Sequence, residues 1–189
     1  MTDGNSGEAV RYLLASSEEI ARYIREVPDF PKRGISFKDI TPLIENGPAF
    51  HAAVDGMGRA IEGIDYSHIL SAEARGFVFG TALAYRARKG LILARRPNKL
   101  PRDTISASYE LEYNQNSLEV HVDAVSEGMR VLVVDDLLAT GGTARAMCQI
   151  VENAGGIVAG VAFLIELRFL GGRNVLSPYP VTSLITYHD

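Results

Sequence analysis

From residue 68 onward the chain alternates short apolar runs with segments of helical character, and this alternation constrains the fold most. The apolar runs are His68–Ala72, Leu91–Ala94, Val131–Val134, Ile157–Ile165 and Ser183–Tyr187. The helical segments, 77–88 and 143–153, are each followed by glycine, as helix ends commonly are. Strands that are apolar on both faces are typical of a buried parallel sheet with crossover helices. The sequence therefore predicts an α/β fold with a central, mainly parallel sheet flanked by helices.

Length and charge limit the kind of partner. A chain of 189 residues favours one domain, here 1–189, and its 47% hydrophobic and 22% charged residues exclude a disordered or collagen-like chain. Lys and Arg total 19 against 23 Asp and Glu, a net charge of −4. Because domains that bind nucleic acid by bulk electrostatics are normally basic, we expect no nucleic-acid partner.

Three features predict a cytoplasmic protein without a membrane partner. The one cysteine, Cys148, cannot form an internal disulfide, which suits a reducing compartment. The N-terminal residues carry early acids and lack the apolar core of a secretory signal. The most apolar stretch, Ile157–Ile165, has about half the length needed to cross a bilayer.

The first 61 residues predict two helices around an irregular segment. Ser16 and Glu19 have capping-box spacing, and the helix that they begin is expected to reach Val27, just before Pro28. The segment 29–42 is rich in Pro and Gly but contains apolar residues, so we expect 28–45 to form a hood that covers another part of the molecule. After Pro48, apolar residues recur at helical spacing at Phe50, Val54, Met57 and Ile61.

The segment 95–122 interrupts the rhythm of the sheet. Polar and apolar residues alternate over 105–113 and again over 118–122, which predicts a half-exposed hairpin. An insertion of this length exceeds an ordinary connection, and we expect it to be a lid.

The most informative segment is Val-Leu-Val-Val-Asp-Asp-Leu-Leu-Ala-Thr-Gly-Gly-Thr, residues 131–143. It predicts a buried strand, two carboxylates at its C-terminal end, a small loop and the start of a helix. Ligands of open α/β sheets bind at this end of the strands. The amides and hydroxyls of residues 140–143, together with the helix N-terminus, predict a phosphate site.

The adjacent acids Asp135 and Asp136 indicate the rest of the ligand. Carboxylates repel phosphate but accept hydrogen bonds from vicinal hydroxyls, so loop and acids together predict a cradle for ribose 5-phosphate. The alternative is a solvated loop whose acids cap the helix.

Residues 131–143 resemble the phosphoribosyl pyrophosphate (PRPP) motif of type I phosphoribosyltransferases. Three further segments are similar to the adenine phosphoribosyltransferase family: Pro-Asp-Phe-Pro-Lys-Arg-Gly-Ile-Ser-Phe-Lys-Asp-Ile (28–40), Glu-Ala-Arg-Gly-Phe-Val-Phe-Gly (73–80) and Ala-Ser-Tyr-Glu-Leu-Glu-Tyr (107–113). With the basic run 95–101, the likeness covers about 28–187. One departure is Asn98, where the family usually has Gly.

The resemblance implies a type I phosphoribosyltransferase fold and the conversion of adenine and PRPP to AMP and pyrophosphate. It also implies a homodimer and Mg²⁺ that is bound mainly by PRPP, with no dedicated protein cage. Alternatives are a phosphoribosyltransferase for hypoxanthine, guanine or xanthine, a PRPP-sensing regulatory protein, and a purely structural or interaction protein.

The resemblance also assigns residues to each part of the substrates. PRPP and AMP are expected to contact Asp135, Asp136, Ala139, Thr140, Gly141, Gly142, Thr143, Arg75, Arg95 and Lys99. The base is expected to contact Phe37 by stacking and the backbone of Ser36 and Lys38. Tyr113 is expected to order the closed lid, and Glu112 to take the proton lost by adenine.

The residues themselves leave several of these roles open. Arg75 suits pyrophosphate but also suits an ion pair with Glu73. The cluster of Arg95, Arg96, Lys99 and Arg102 suits pyrophosphate or a solvated face. A lone Phe such as Phe37 is more often a core residue.

Strand alternation puts Glu110 and Glu112 on one face, so only the resemblance selects Glu112. The sequence has no nucleotide-hydrolysing Gly-Lys-Ser/Thr loop, no serine-hydrolase elbow and no histidines at metal-ligand spacing. Cys148 is expected to be buried inside a helix rather than nucleophilic.

Overall fold

The computed structural model describes residues 16–111 and 114–189, without the side chains of 109–116. The chain divides into two compact units, with the boundary between Arg59 and Ala60. The strands are β1 Arg25–Val27, β2 Phe37–Asp39, β3 His68–Ala72, β4 Gly90–Ala94, β5 Thr104–Leu111, β6 Asn114–His121, β7 Arg130–Leu138, β8 Ile157–Leu167 and β9 Val181–Tyr187. The helices are α1 Ser17–Ala21, α2 Thr41–Glu45, α3 Gly47–Ala60, α4 Arg75–Ala87, α5 Gly142–Asn153, the 3₁₀ turn Arg168–Leu170 and α6 Gly172–Val175.

The first unit confirms the predicted helix starts and corrects one helix end. Ser16 and Glu19 form the capping box at α1, and Phe50, Val54 and Met57 lie in α3, which ends one residue before Ile61. The short helix α2 begins at Thr41, inside the segment 29–42 that was expected to be irregular. However, α1 ends at Ala21 rather than at Val27. Residues 25–27 form β1 instead, which pairs antiparallel with β2 inside the segment expected to be irregular. Pairing with residues 37–39, which lie outside the helical segment, thus outweighs the local helical preference.

The second unit confirms the predicted parallel sheet. Its five strands follow the order β4-β3-β7-β8-β9, and all neighbours are parallel. Residues 131–134 of β7 are fully buried, as expected for the central strand of a covered sheet. Since the carboxyl ends of parallel strands share one edge, the segments after β3, β4 and β7 leave the sheet on the same side.

β7 is longer than predicted and contains both acids. It continues to Leu138, and Asp135 pairs in register with Phe163 of β8. Asp135 and Asp136 therefore lie within the strand rather than at its end.

The glycines after the two helices have different roles from each other. Gly155 follows α5 in the left-handed conformation, with φ of 81°, as expected for a helix end. After α4, Arg88 takes the left-handed position, with φ of 55°. Gly90 instead opens β4, where a Cβ would lie 2.2 Å from the ring of His68, so a side chain at this position would have to displace that ring.

The predicted hairpin is present as β5 and β6, antiparallel and in register from Thr104↔His121 to Leu111↔Asn114. Leu118 and Val120 are buried, which confirms the half-exposed pattern of β6. Glu112 and Tyr113 lie outside the described residues. Among the helices that the structure describes, none has both the length and the hydropathy needed to cross a bilayer.

Candidate active site

The loop after β7 presents uncapped amides. Gly141 adopts φ of 88°, which L side chains rarely adopt, and α5 begins at the next residue, Gly142. No described side chain caps this helix, so the first amides of α5 retain their capacity to donate to an anion. Thr140 is exposed and Gly141 is buried.

This loop borders a cavity of about 480 Å³ in the second unit. The residues that line it are Glu73, Ala74, Arg75, Arg96, Pro97, Ser117, Leu118, Asp135, Asp136, Leu137, Leu138, Ala139, Thr140, Gly141, Gly142, Thr143, Ala144 and Phe163. The cavity therefore brings together Arg75, both acids and the loop 139–143 from the sequence-predicted set. Arg95 and Lys99 are not among the described residues that line it.

The two acids are buried, with exposed fractions of 8% for Asp135 and 5% for Asp136. The Asp136 amide donates to Asp135 Oδ1 at 3.0 Å. Burial, and then the charge of Asp136, raise the pKa of Asp135 well above its usual range. Burial also raises the pKa of Asp136, against the lowering effect of Arg75. Ionised acids in this position are costly for the fold, which is typical of groups kept for ligand binding.

Arg75 pairs with Asp136 rather than with Glu73. Its Nε lies 2.9 Å from Asp136 Oδ2. Asp136 Oδ2 nevertheless accepts no hydrogen bond in the described part of the chain, so the contact is an ion pair without hydrogen-bond alignment. Asp136 thus keeps hydrogen-bonding capacity toward a ligand.

Glu73 connects two neighbouring strand ends instead. It accepts a hydrogen bond from Arg95 Nε at 2.8 Å and another from the Arg96 amide. Burial alone would raise the pKa of Glu73, but these hydrogen bonds bring it below its usual value. Glu73 therefore stays ionised and ties the segment after β4 to the segment after β3.

The basic cluster has divided roles. Arg102 pairs with Asp123, and Arg95 pairs with Glu73, while Arg96 lines the cavity. Lys99 is exposed, and no ion pair to it is present among the described side chains.

The sequence analysis did not predict the close packing of Ser71 and Gly76 around Asp135. Ser71 is fully buried in β3, and its hydroxyl donates to the carbonyl of Val134 at 2.7 Å. At Gly76 of α4, a Cβ would lie 2.5 Å from Asp135 Oδ1 and 3.0 Å from Ser71 Oγ. The glycines at 76 and 80 were a sequence signal for such close packing. The contributions of Ser117 and Phe163 to the cavity had no comparable signal.

The residues expected to bind the base lie in the first unit. Phe37 opens β2, and its ring meets Phe30 edge to face with centroids 5.2 Å apart. Lys38 is buried and pairs with Glu26 of β1, which also accepts a hydrogen bond from Ser36 Oγ at 3.4 Å.

Cys148 is fully buried in α5, and burial raises the pKa of its thiol to about 12. This agrees with the expectation that it is not a nucleophile.

The raised pKa of Asp135 predicts a pH-dependent stability difference. A carboxyl with a raised pKa in the folded state binds its proton more tightly there than in the unfolded chain, so its contribution to stability falls as pH rises. We expect Asp135→Asn to unfold at higher urea than the parent at about pH 8 and to lose that advantage near about pH 4. Equal urea midpoints at both pH values would contradict the burial penalty.

The comparisons with known proteins agree with this geometry. Residues 44–174 match the family model of the phosphoribosyl transferase domain, so the fold is that of a phosphoribosyltransferase. An adenine phosphoribosyltransferase from Rubrobacter xylanophilus is 66% identical over 171 residues, or 90% of this chain and 92% of the relative. The chain belongs to the adenine phosphoribosyltransferase family.

Solved structures give the same result. The crystal structure of adenine phosphoribosyltransferase from Thermoanaerobacter pseudethanolicus has a TM-score of 0.89 and 52% identity, and covers 91% of this chain and 100% of its own. The enzyme from Saccharomyces cerevisiae, complexed with an imino-altritol bisphosphate and adenine, has a TM-score of 0.84 and 33% identity. This match covers 93% of this chain and 99% of the yeast chain. These matches confirm the type I phosphoribosyltransferase fold and the purine salvage transferase predicted from the sequence.

Proposed function

We propose that the cavity binds PRPP for the conversion of adenine to AMP and pyrophosphate. The observation that carries this proposal is that uncapped amides of α5 and two buried acids border one cavity. In this proposal residues 139–143 donate to the 5-phosphate, and Asp135 and Asp136 accept hydrogen bonds from the two ribose hydroxyls. The yeast relative, complexed with adenine and an imino-sugar bisphosphate, supports a ligand of this shape.

The departing pyrophosphate is assigned to Arg75, Arg95 and Lys99. Arg75 already lines the cavity, and its guanidinium suits two phosphate oxygens. To bind pyrophosphate, Arg75 gives up part of its contact with Asp136. That exchange leaves Asp136 available to the ribose.

Mg²⁺ fits this site as a partner of PRPP rather than of a protein cage. No group of three or more His, Cys, Asp or Glu side chains placed to hold a metal occurs in the described ranges. Because Mg²⁺ prefers substrate phosphates with few carboxylates, the pocket residues would hold it through PRPP, where it would neutralise phosphate charge.

The chain's own residues then assist bond cleavage at the anomeric carbon. Cleavage builds positive charge on the sugar, as in glycoside hydrolysis, and negative charge on pyrophosphate. Arg75 stabilises the negative charge on pyrophosphate, and Glu112 takes the adenine proton as the bond between the base and the sugar forms. Closure of the hairpin 95–122, with Tyr113 in the closed lid, excludes water from the reactive sugar.

Phe37 is assigned to the adenine ring, with backbone groups of Ser36 and Lys38 at the base edge. Stacking on an aromatic ring is worth about 1–3 kcal/mol per base. We therefore expect Phe37→Ala to raise the KM for adenine by roughly tenfold to a hundredfold, with the KM for PRPP nearly unchanged. Steady-state kinetics with each substrate varied measures both. Tyr85→Ala, which removes an aromatic ring that is 88% exposed, is the control; equal adenine KM values for the two variants would refute the stacking role.

A coupled assay of AMP formation from adenine and PRPP with Mg²⁺ tests the proposed function. Hypoxanthine, guanine and xanthine serve as control bases. AMP formation with little turnover of the other bases is expected. PRPP uptake without turnover of any base would instead favour a PRPP sensor, and absence of both would overturn the proposal.

Family resemblance also supports proposals about organisation. We propose that residues 1–189 act as one catalytic domain, with a hood at 28–45, a lid at 95–122, and a homodimeric assembly. The single cysteine supports a reducing, cytoplasmic location. Light scattering after size-exclusion chromatography tests the dimer.

A further inference from the structure

The loop 139–141 has a backbone neighbour that its own sequence does not reveal. It packs against Gly172, the first residue of the short helix α6. A Cβ on Gly172 would lie 2.2 Å from the carbonyl oxygen of Ala139 and 2.9 Å from the amide nitrogen of Gly141. Conversely, a Cβ on Gly141 would lie 2.7 Å from the carbonyl oxygen of Gly172. Two backbones therefore meet here without side chains between them, and a shift of one displaces the other.

An ion pair holds Gly172 in place through the next residue. Arg173 Nε donates to Glu166 Oε1 at 2.9 Å, and Arg173 also donates from Nη2 to Glu166 Oε2. Its Nη1 donates to the carbonyl of Val181 at 2.8 Å. The guanidinium is thus fixed by a bidentate contact with Glu166 of β8 and by a third hydrogen bond to Val181 of β9.

Glu166 is a rigid anchor for this contact. It is 1% exposed, and its Oε2 also accepts a hydrogen bond from Ser183 Oγ at 2.8 Å. In the sheet Glu166 pairs in register with Leu138, the last residue of β7 before the loop. Glu166 therefore lies beside the end of β7, where the loop begins, and it also holds Arg173, the residue next to Gly172.

We propose that Arg173 is a positioning residue for the phosphate loop, and this inference rests on the proposed function of residues 139–143. Arg173 is not among the described residues that line the cavity. It acts by keeping Gly172 against Ala139 and Gly141, so that the loop amides point at the 5-phosphate before the ligand arrives. Such preorganisation lowers the cost of ordering the loop upon binding.

Arg173→Met tests the proposal, with Arg130→Met as the matched control. Both arginines pair with one acid and one backbone carbonyl, and their side chains are 40% and 43% exposed. Arg130 begins β7, at the strand end opposite the loop. Calorimetry with ribose 5-phosphate, which needs no metal or base, measures binding to the loop directly. We expect Arg173→Met to weaken it by roughly tenfold to a hundredfold, and Arg130→Met by less than about twofold.

Two further readouts separate positioning from general destabilisation. In Arg173→Met, we expect the KM for PRPP to rise while the KM for adenine and kcat change little. Arg173→Lys keeps the charge without the planar fork and is expected to fall between the parent and the Met variant. If folded Arg173→Met binds ribose 5-phosphate as well as Arg130→Met does, the inference is wrong while the proposed function stands. If the parent itself binds no ribose 5-phosphate and forms no AMP, the proposed function fails instead.

Discussion

Replacing Asp135 and Asp136 together by Asn is expected to lower kcat/KM for PRPP by about 10²–10⁴-fold. A hydrogen bond to a charged group contributes about 1.5–3 kcal/mol, and the two bonds proposed to the ribose hydroxyls lose their charged acceptors. Asn is the informative replacement because the Asp136 amide donates to Asp135 Oδ1. An Asn oxygen keeps that bond, whereas Ala would remove it.

The same variant is expected to unfold at a temperature no lower than the parent's. Burial penalises both charges, so their removal offsets the loss of the contact between Arg75 and Asp136. Steady-state kinetics and thermal unfolding on one preparation measure the two effects. Asp65→Asn, an exposed acid paired with Arg130, is the control and is expected to retain activity. Full activity in the double Asn variant would remove the acids from the site.

Glu112→Ala is expected to lower kcat by about 10²–10⁴-fold and to change AMP binding little, because Glu112 is proposed to take a proton rather than to hold product. Its removal leaves the phosphate and ribose contacts intact. Single-turnover kinetics measures the chemical step, and calorimetry with AMP measures product affinity.

Glu110→Ala is the matched control for this prediction. The backbone of Glu110 lies in β5 opposite Gln115, two positions before Glu112 in the chain. If strand alternation alone decided the role, the two acids would be equivalent, so the pair of variants tests the assignment directly. A larger loss of kcat in Glu110→Ala, or an unchanged kcat in Glu112→Ala, would reject Glu112 as the base.

The sheet was predictable because its information is local. Residues 131–134 are apolar on both faces, a pattern that fits only a strand covered on both sides. In the structure these four residues are fully buried, as that pattern predicts. The extension of β7 through Asp136 to Leu138 was not predictable, since carboxylates are disfavoured within strands. Register pairing with β8 supplies the hydrogen bonds that keep this segment extended.

The helix from Ser16 shows the opposite outcome. Its capping box is a local signal and was predicted correctly, but its end depends on β2, which lies outside the segment 16–27. Strand pairing with 37–39 converts residues 25–27 into β1, and no pattern within 16–27 contains that information.

The sequence by itself determined the α/β class, the glycine-containing loop after β7 and the pair of acids beside it, because each depends on residues that are close together in the chain. Only the tertiary structure decided which charges meet: Arg75 with Asp136, Arg95 with Glu73, and Arg173 with Glu166. It also decided that Gly172 supports the loop. Charge pairing and backbone contact depend on distances of a few ångströms between elements, and the order of parallel strands sets those distances.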